Sequence, residues 1–165
     1  LTTPETKHGF ETGPTSVSED QVADRLSIRT LIDAYAHYAD SREPELQYGL
    51  YTPDGRTLVY RESGESEPVQ VLTTHDQHVE GFAALSQYIA TTHFNGQSVI
   101  TSLTSSTATV ESYCFAHHVL ANDDGRTLIV MSIRYEDSLV KTTRGWRFAE
   151  RKLVIVWTDN RPLRP

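Results

Sequence analysis

From His93 onward this chain is written almost entirely as β-strand. Gln97 to Thr104, Thr107 to Leu120, Thr127 to Val140 and Gly145 to Thr158 are long stretches rich in β-branched and aromatic residues. The segments between them, Ser105-Ser106, Asn122-Asp123-Asp124-Gly125 and Thr142-Thr143-Arg144-Gly145, have hairpin-turn chemistry. Consecutive hairpins of this length predict an antiparallel sheet, which must bury at least one face. The first half of the chain supplies the cover. Ser18-Glu19-Asp20-Gln21 reads as a capping box, and Val22, Leu26, Ile28, Leu31, Ile32, Tyr35, Tyr38 and Ala39 recur at helical spacing. They predict one long helix ending near Asp40-Ser41. Pro44 opens a short second helix through Leu46 and Leu50, stopped at the turn Thr52-Pro53-Asp54-Gly55. Arg56 to Tyr60 and Val69 to Thr73 predict a small hairpin, and Val79 to Ile89 a third helix that ends before His93. Helices first and long strands after mean α+β: a curved antiparallel sheet around N-terminal helices, with a pocket between. The domain is expected over residues 17–160, with tails at 1–16 and 161–165.

Composition narrows the function classes. With 165 residues there is room for one domain, and 15 basic against 22 acidic residues give a net charge of −7. That balance excludes a nucleic-acid or anionic-membrane footprint. The basic group Lys141, Arg144, Arg147, Arg151 and Lys152 is interleaved with apolar strand positions and reads as solvated strand edge. A single cysteine, Cys114, rules out an intrachain disulfide and any multi-cysteine metal site. No stretch nears the roughly 20 apolar residues of a membrane span, and Leu1 to Ser16 has no signal-like apolar core, so a soluble, cytoplasmic chain is expected. Neither a phosphate-binding glycine loop nor a nucleophile elbow occurs. His75-Asp76-Gln77-His78 has metal-ligand residue types, but it falls in a predicted loop without a third ligand, so neither metal nor cofactor is expected.

Several stretches together resemble one family. Tyr35-Ala36-His37-Tyr38-Ala39-Asp40, Glu80-Gly81-Phe82-Ala83-Ala84-Leu85, His93-Phe94-Asn95-Gly96, Thr107-Ala108-Thr109-Val110, Tyr135-Glu136-Asp137-Ser138-Leu139 and Gly145-Trp146-Arg147-Phe148 follow the order of the SnoaL-like proteins. These belong to the nuclear-transport-factor-2-like superfamily of α+β barrels, which includes dehydratases, cyclases, isomerases and non-catalytic subunits. The resemblance is closest to the scytalone dehydratase and bile acid 7α-dehydratase type. It implies a cofactor-independent lyase, isomerase or cyclase acting on a hydrophobic cyclic carbonyl compound, with secondary metabolism as its setting. The different-class alternative is a pocket module that binds or assembles without chemistry.

The resemblance places the family's roles on Tyr35, Asp40 and His93. Removal of water β to a carbonyl needs a base for the carbon acid and a donor for the enolate. His93 is expected as the base, Asp40 as its partner, and Tyr35 as donor to the carbonyl oxygen. Positions 35 and 40 lie roughly 140° apart on an ideal helix, so Asp40 is expected where the helix unwinds. Each also has a plainer reading: Asp40 as a turn cap, His93 as a helix C-cap, Tyr35 as core. By alternation Ala108, Val110, Ser112, Cys114, Ala116 and His118 share one strand face. Ser112 and Cys114 would leave pocket room and His118 would be its polar end, with His117 facing inward if a bulge intervenes. Tyr48, Tyr51 and Tyr60 are candidates for the pocket mouth, or for ordinary packing. The acid that bile acid dehydratase carries near Ala116 is absent, and Ile155 replaces its last-strand arginine, which argues against an anionic handle on the substrate. Apolar residues on both faces, as at Leu128/Val130 and Ile129/Met131, predict a homodimer or homotrimer.

Overall fold

A computed structural model describes residues 18–61, 66–123 and 125–163. The expected tail at 1–16 lies outside them. Helix α1 runs Glu19–Ser41; the Ser18 side chain accepts from the Gln21 N–H at 3.3 Å, satisfying one free donor of the first turn. Ile28, Leu31, Ile32, Tyr35, Ala36 and Ala39 form its buried face, while Val22 and Leu26 are exposed although they fit the period. Helix α2 is Pro44–Tyr48. Strand β1 spans Tyr51–Tyr60, so the expected turn Thr52 to Gly55 is a bulge inside a strand: Tyr51 pairs with Phe148, and Arg56 with Glu150. Gly55 is required there by close approach, since a Cβ would sit 2.9 Å from the Phe148 carbonyl oxygen.

β2 (Gln70–Leu72) pairs antiparallel with β1, as the hairpin expectation had it. α3 spans His75–Ala83, starting four residues before the predicted Val79. The missed signal is a capping box: Thr74 accepts from the Gln77 N–H at 3.3 Å, and Gln77 Oε1 accepts from the Thr74 N–H at 3.2 Å. His75 to His78 is therefore a first helical turn and not a loop. A 3₁₀ turn, Ala84–Gln87, leads to β3 (Ala90–Leu103), β4 (Thr107–Asn122), β5 (Gly125–Thr142) and β6 (Gly145–Pro162). β6 thus continues beyond residue 160, where a tail was expected.

The sheet order is β2-β1-β6-β5-β4-β3. Its long hairpins are antiparallel, but β1 runs parallel to β6, because the chain enters β1 from the helical layer and not from a hairpin. The curved sheet stays open and folds its concave face over α1. Every member of the predicted β4 set, Ala108 through His118 by twos, is buried, which fixes His118 inside. Trp146 and Trp157 take opposite faces, the first buried and the second 48% exposed.

Candidate active site

The end of α1 is pinned to the start of β3. Arg42 adopts φ 60°, ψ 45°, a left-handed conformation unusual for a non-glycine, and ends the helix with its N–H on the Ala39 carbonyl. Its guanidinium donates to the Ala39 carbonyl at 2.9 Å and to Thr91 Oγ1 at 2.6 Å. Thr91 Oγ1 in turn donates a hydrogen bond to Asp40 Oδ1 at 2.8 Å. The other donors to Asp40 come from His93: the backbone N–H to Oδ2 at 2.8 Å, and ring Nδ1 to Oδ1 at 2.7 Å. Burial alone would raise the Asp40 carboxyl, but these hydrogen bonds from His93 and Thr91 outweigh it and hold its pKa at about 2. An ionised carboxylate only accepts, so Nδ1 carries a ring proton, and in the neutral ring Nε2 keeps the lone pair.

His93 and His118 open onto a cavity of about 230 Å³, whose wall also includes Tyr35, Ala39, Gln47, Thr57, Phe82, Met131, Ile133, Tyr135 and Ile155. The two imidazoles are diagonal neighbours on β3 and β4, with ring centroids 5.3 Å apart. His118 lies 4.4 Å from the Tyr88 ring, and neither of its buried nitrogens finds a hydrogen-bond partner among the described residues. Burial, with repulsion from His93, pushes its pKa down to about 4, so the ring is neutral at physiological pH.

The far wall is an aromatic box. Tyr35 packs edge-on against Phe82, Tyr135 and Phe148 at 5.8, 6.0 and 5.9 Å. Behind it the Arg151 guanidinium carbon stands 4.1 Å from the ring centres of Tyr35, Tyr135 and Phe148. Nε and Nη2 of Arg151 both donate to Asp137 at 2.8 Å, and the two side chains are 1% and 0% exposed. Arg151 is thus not the solvated edge residue expected of it. β6 sets it directly between Thr57 of β1 and Asp137 of β5, on the concave face.

The sequence profile of the SnoaL-like domain matches residues 20–152. The chain belongs to the SnoaL-like family. Among solved structures similar to this SnoaL-like protein is a proposed scytalone dehydratase from Novosphingobium aromaticivorans, with TM-score 0.73 and 19% identity over 90% of this chain and 94% of that one. A type 2 hexachlorocyclohexane dehydrochlorinase gives 0.73 at 12% identity over 88% and 96%. The β subunit of a proposed aromatic-ring-hydroxylating dioxygenase from N. aromaticivorans gives 0.69 at 18% over 85% and 93%. At such identities the likeness speaks for the fold alone. A search of curated proteins finds no match.

Of the residues expected at the site, His93, His118 and Tyr35 line the cavity and Asp40 holds His93 from behind. α1 stays helical through Ser41, so Asp40 is not in an unwound stretch. The angle between positions 35 and 40 is used instead: Tyr35 faces β5 and β6 while Asp40 faces β3. Tyr51, Tyr60, Ser112 and Cys114 are not part of the cavity wall. Ser112 and Cys114 sit below the surface of the sheet's concave face, and Tyr51 is buried against Thr57. Burial raises the Cys114 thiol to about 12, which makes it inert as a nucleophile. His75 is a surface residue bound to Glu45 and Asp76, each at 2.9 Å, and no cluster of three metal-ligating side chains exists among the described residues. The SnoaL-like protein's sequence reading missed Gln47, Thr57, Arg42 and the Arg151–Asp137 pair. Pro44 at N1 fixes the helix that carries Gln47, but nothing local marks Gln47 as buried.

A pH prediction follows from Asp40. Its folded-state pKa lies below the ordinary 3.8, so its hydrogen bonds contribute stability above that value, which is lost as the pH falls from 3.8 toward about 2. Asp40→Asn is expected to flatten this part of the acid-unfolding curve. Equal slopes in the two proteins, followed by circular dichroism, would contradict the assignment.

Proposed function

We propose that this SnoaL-like protein is a cofactor-independent lyase that takes a proton from carbon next to a carbonyl in a hydrophobic cyclic compound. The observation that carries this is the Asp40–His93 pair at the edge of a largely apolar cavity. His93 Nε2 is the general base, and the Asp40 carboxylate fixes the tautomer and stabilises the imidazolium that forms. Charge then develops on the carbonyl oxygen, and Gln47, Tyr35 and neutral His118 are polar side chains of the cavity wall that can meet it. Elimination of a β-hydroxyl, isomerisation and cyclisation all share this first step. The elimination outcome is supported by two proteins of the same fold, a proposed scytalone dehydratase and a hexachlorocyclohexane dehydrochlorinase.

A test independent of the true substrate is proton exchange. Cyclic ketones incubated with the protein in D₂O should exchange their α-hydrogens faster than in buffer, and the excess should vanish in His93→Ala. Exchange no faster than buffer across a panel of cyclic ketones and β-hydroxy ketones would favour the second reading, a non-catalytic subunit. A dioxygenase β subunit shares the fold and gives that reading its support.

We also propose self-association. Phe94, Phe115, Trp157 and Ile89 are 65, 44, 48 and 55% exposed, and the Phe115 and Trp157 rings touch at 5.8 Å. Light scattering at micromolar concentration should show a dimer or trimer, and monomer alone would refute this.

A further inference from the structure

Helix α1 ends on a residue that glycine would replace with less strain. Arg42, at φ 60° and ψ 45°, is the one non-glycine residue of positive φ among the described residues. The backbone part of the cap needs no side chain. The Arg42 N–H bonds the Ala39 carbonyl at 3.3 Å, and the Glu43 N–H bonds the Tyr38 carbonyl at 3.0 Å. Glycine would make the first of these equally well and would leave the second in place. Strain of this kind persists only where the surroundings hold the residue, and it gathers at functional sites. Here the side chain supplies the hold. Nη1 donates to the Ala39 carbonyl at 2.9 Å and to Thr91 Oγ1 at 2.6 Å, and Nη2 reaches the Tyr88 carbonyl at 3.4 Å. All three partners border the site: Ala39 precedes Asp40, Thr91 stands two residues before His93, and the Tyr88 ring lies 4.4 Å from that of His118.

The hydrogen bonds from this guanidinium to the imidazole of His93 have only one possible direction. A guanidinium has donors and no acceptor, so Thr91 Oγ1 accepts from Arg42 and its single proton must point elsewhere. The Asp40 carboxylate has acceptors only, and Oδ1 takes that proton at 2.8 Å. The same Oδ1 accepts from His93 Nδ1 at 2.7 Å, and Oδ2 accepts from the His93 backbone N–H at 2.8 Å. The last torsion of an aspartate is broad, so the plane of its carboxylate is set by such partners and not by a rotamer. Without the arginine, the Thr91 hydroxyl is a free rotor that can turn to a backbone carbonyl instead. Asp40 then keeps two donors of three, both from the residue it is meant to orient.

We infer that Arg42 is a positioning residue for the base: its guanidinium directs the Thr91 hydroxyl onto Asp40 and so fixes the carboxylate that orients His93. Calling His93 the base rests on the lyase reading; the hydrogen bonds that hold it do not. The strained backbone at position 42 thereby has a use, since it is what brings the side chain back over Ala39 toward β3. A plain helix cap would require only a cation near the last carbonyls, and Thr91 would be irrelevant to it.

Arg42→Gly separates the two roles, because glycine keeps the backbone cap and removes the guanidinium. Thr91→Val cuts the relay at nearly constant shape, and Thr91→Ser keeps the hydroxyl. The first measurement needs no substrate. The Thr91 bond helps hold Asp40 at about 2, so stability that Asp40 contributes above pH 3.8 is lost as the pH falls toward 2. His118, lowered from 6.5 to about 4, loses its own contribution above that window. Acid unfolding below pH 3.8, followed by circular dichroism, is compared for each protein with and without Asp40→Asn. The part that Asp40→Asn removes should be smaller in Arg42→Gly and in Thr91→Val than in wild type, and preserved in Thr91→Ser. A plain cap would lower stability equally at every pH. An Asp40 contribution in Arg42→Gly as large as in wild type overturns the inference, whether or not the protein is a lyase.

The second measurement is α-hydrogen exchange with the cyclic ketones. Arg42→Gly and Thr91→Val should each lower the saturating rate by ~10-fold, the worth of a hydrogen bond to a charged group, and leave the half-saturating concentration unchanged. Thr91→Ser should restore most of the rate. A wild-type rate in Arg42→Gly sinks the proposal. If wild type itself exchanges no faster than buffer, the lyase reading falls and the acid-unfolding comparison alone decides what Arg42 does.

Discussion

His93→Ala, assembled and folded like the wild type, is expected to lose ~10²–10⁴ in kcat, the range typical for removal of a general base. The basis is positional. Nδ1 is committed to Asp40 at 2.7 Å, the backbone N–H of the same residue grips the other carboxylate oxygen at 2.8 Å, and the ring therefore has one orientation. Nε2 is the atom left for substrate. Asp40→Asn keeps the size of the side chain but removes the charge that stabilises the imidazolium. It should lower kcat, because the imidazolium formed in the transition state loses its stabilising charge. The double variant should be no worse than His93→Ala alone, since Asp40 acts through His93. His118 is the competitor. It lies 5.3 Å from His93, but burial keeps it neutral with a pKa of about 4, which makes it a weak base and a good neutral hydrogen-bonding partner. A wild-type rate in His93→Ala on a substrate that turns over would pass the role to His118.

What the sequence carried, and what it could not, follows from where each signal is stored. β4 was legible because its pattern is local: alternation put Ala108 through His118 on one face, while the choice between His118 and His117 stayed open until the unbroken register with β5 and the burial of His118 decided it. The Asp40–His93 pair came through the family resemblance, since the two are 53 positions apart and no spacing rule links them. Its mechanical support, Arg42 in a left-handed conformation clamping Ala39 to Thr91, leaves no sequence mark of its own, because that conformation usually announces itself with glycine. The bulge at Thr52 to Gly55 carries the residues of a turn, and only pairing with β6 shows that the strand continues through them. His78 was discounted with its neighbours because the helix start was placed too late. A capping box at Thr74 to Gln77 puts His75 and His78 three apart in one helix, yet the first pairs with Glu45 on the surface and the second is buried against β1. Thr57 and Tyr51 are ordinary residues locally, and only the packing of β1 against α3 brings them into one hydrogen-bonded group with His78.

The Arg151–Asp137 pair was misread for the opposite reason: the local signal was strong and wrong. A basic residue between apolar strand positions normally marks a solvated face, and five such residues near the C-terminus looked alike. Register separates them. Arg151 faces Asp137 directly across β5 and β6, and three aromatic rings at 4.1 Å take the place of water. Burial works against the guanidinium's charge, but the Asp137 carboxylate outweighs it and keeps Arg151 protonated. Removing one partner would strand the other charge in the core. Arg151→Met and Asp137→Leu are each expected to cost about 3–5 kcal/mol, a third or more of the stability of many domains. For a chain of this length that is a drop in Tm of roughly 6–20 °C. The double variant, which removes both charges, should be more stable than either single one, because desolvation of an ion pair offsets most of its attraction. Its aromatic box would still hold Tyr35, so α-hydrogen exchange should survive in the double variant wherever it folds. Thermal unfolding of the three variants separates the outcomes: single losses below about 1 kcal/mol would mean that the pair is reached by water, and a double variant as unstable as the singles would mean that Arg151 holds the box by stacking and not by its charge.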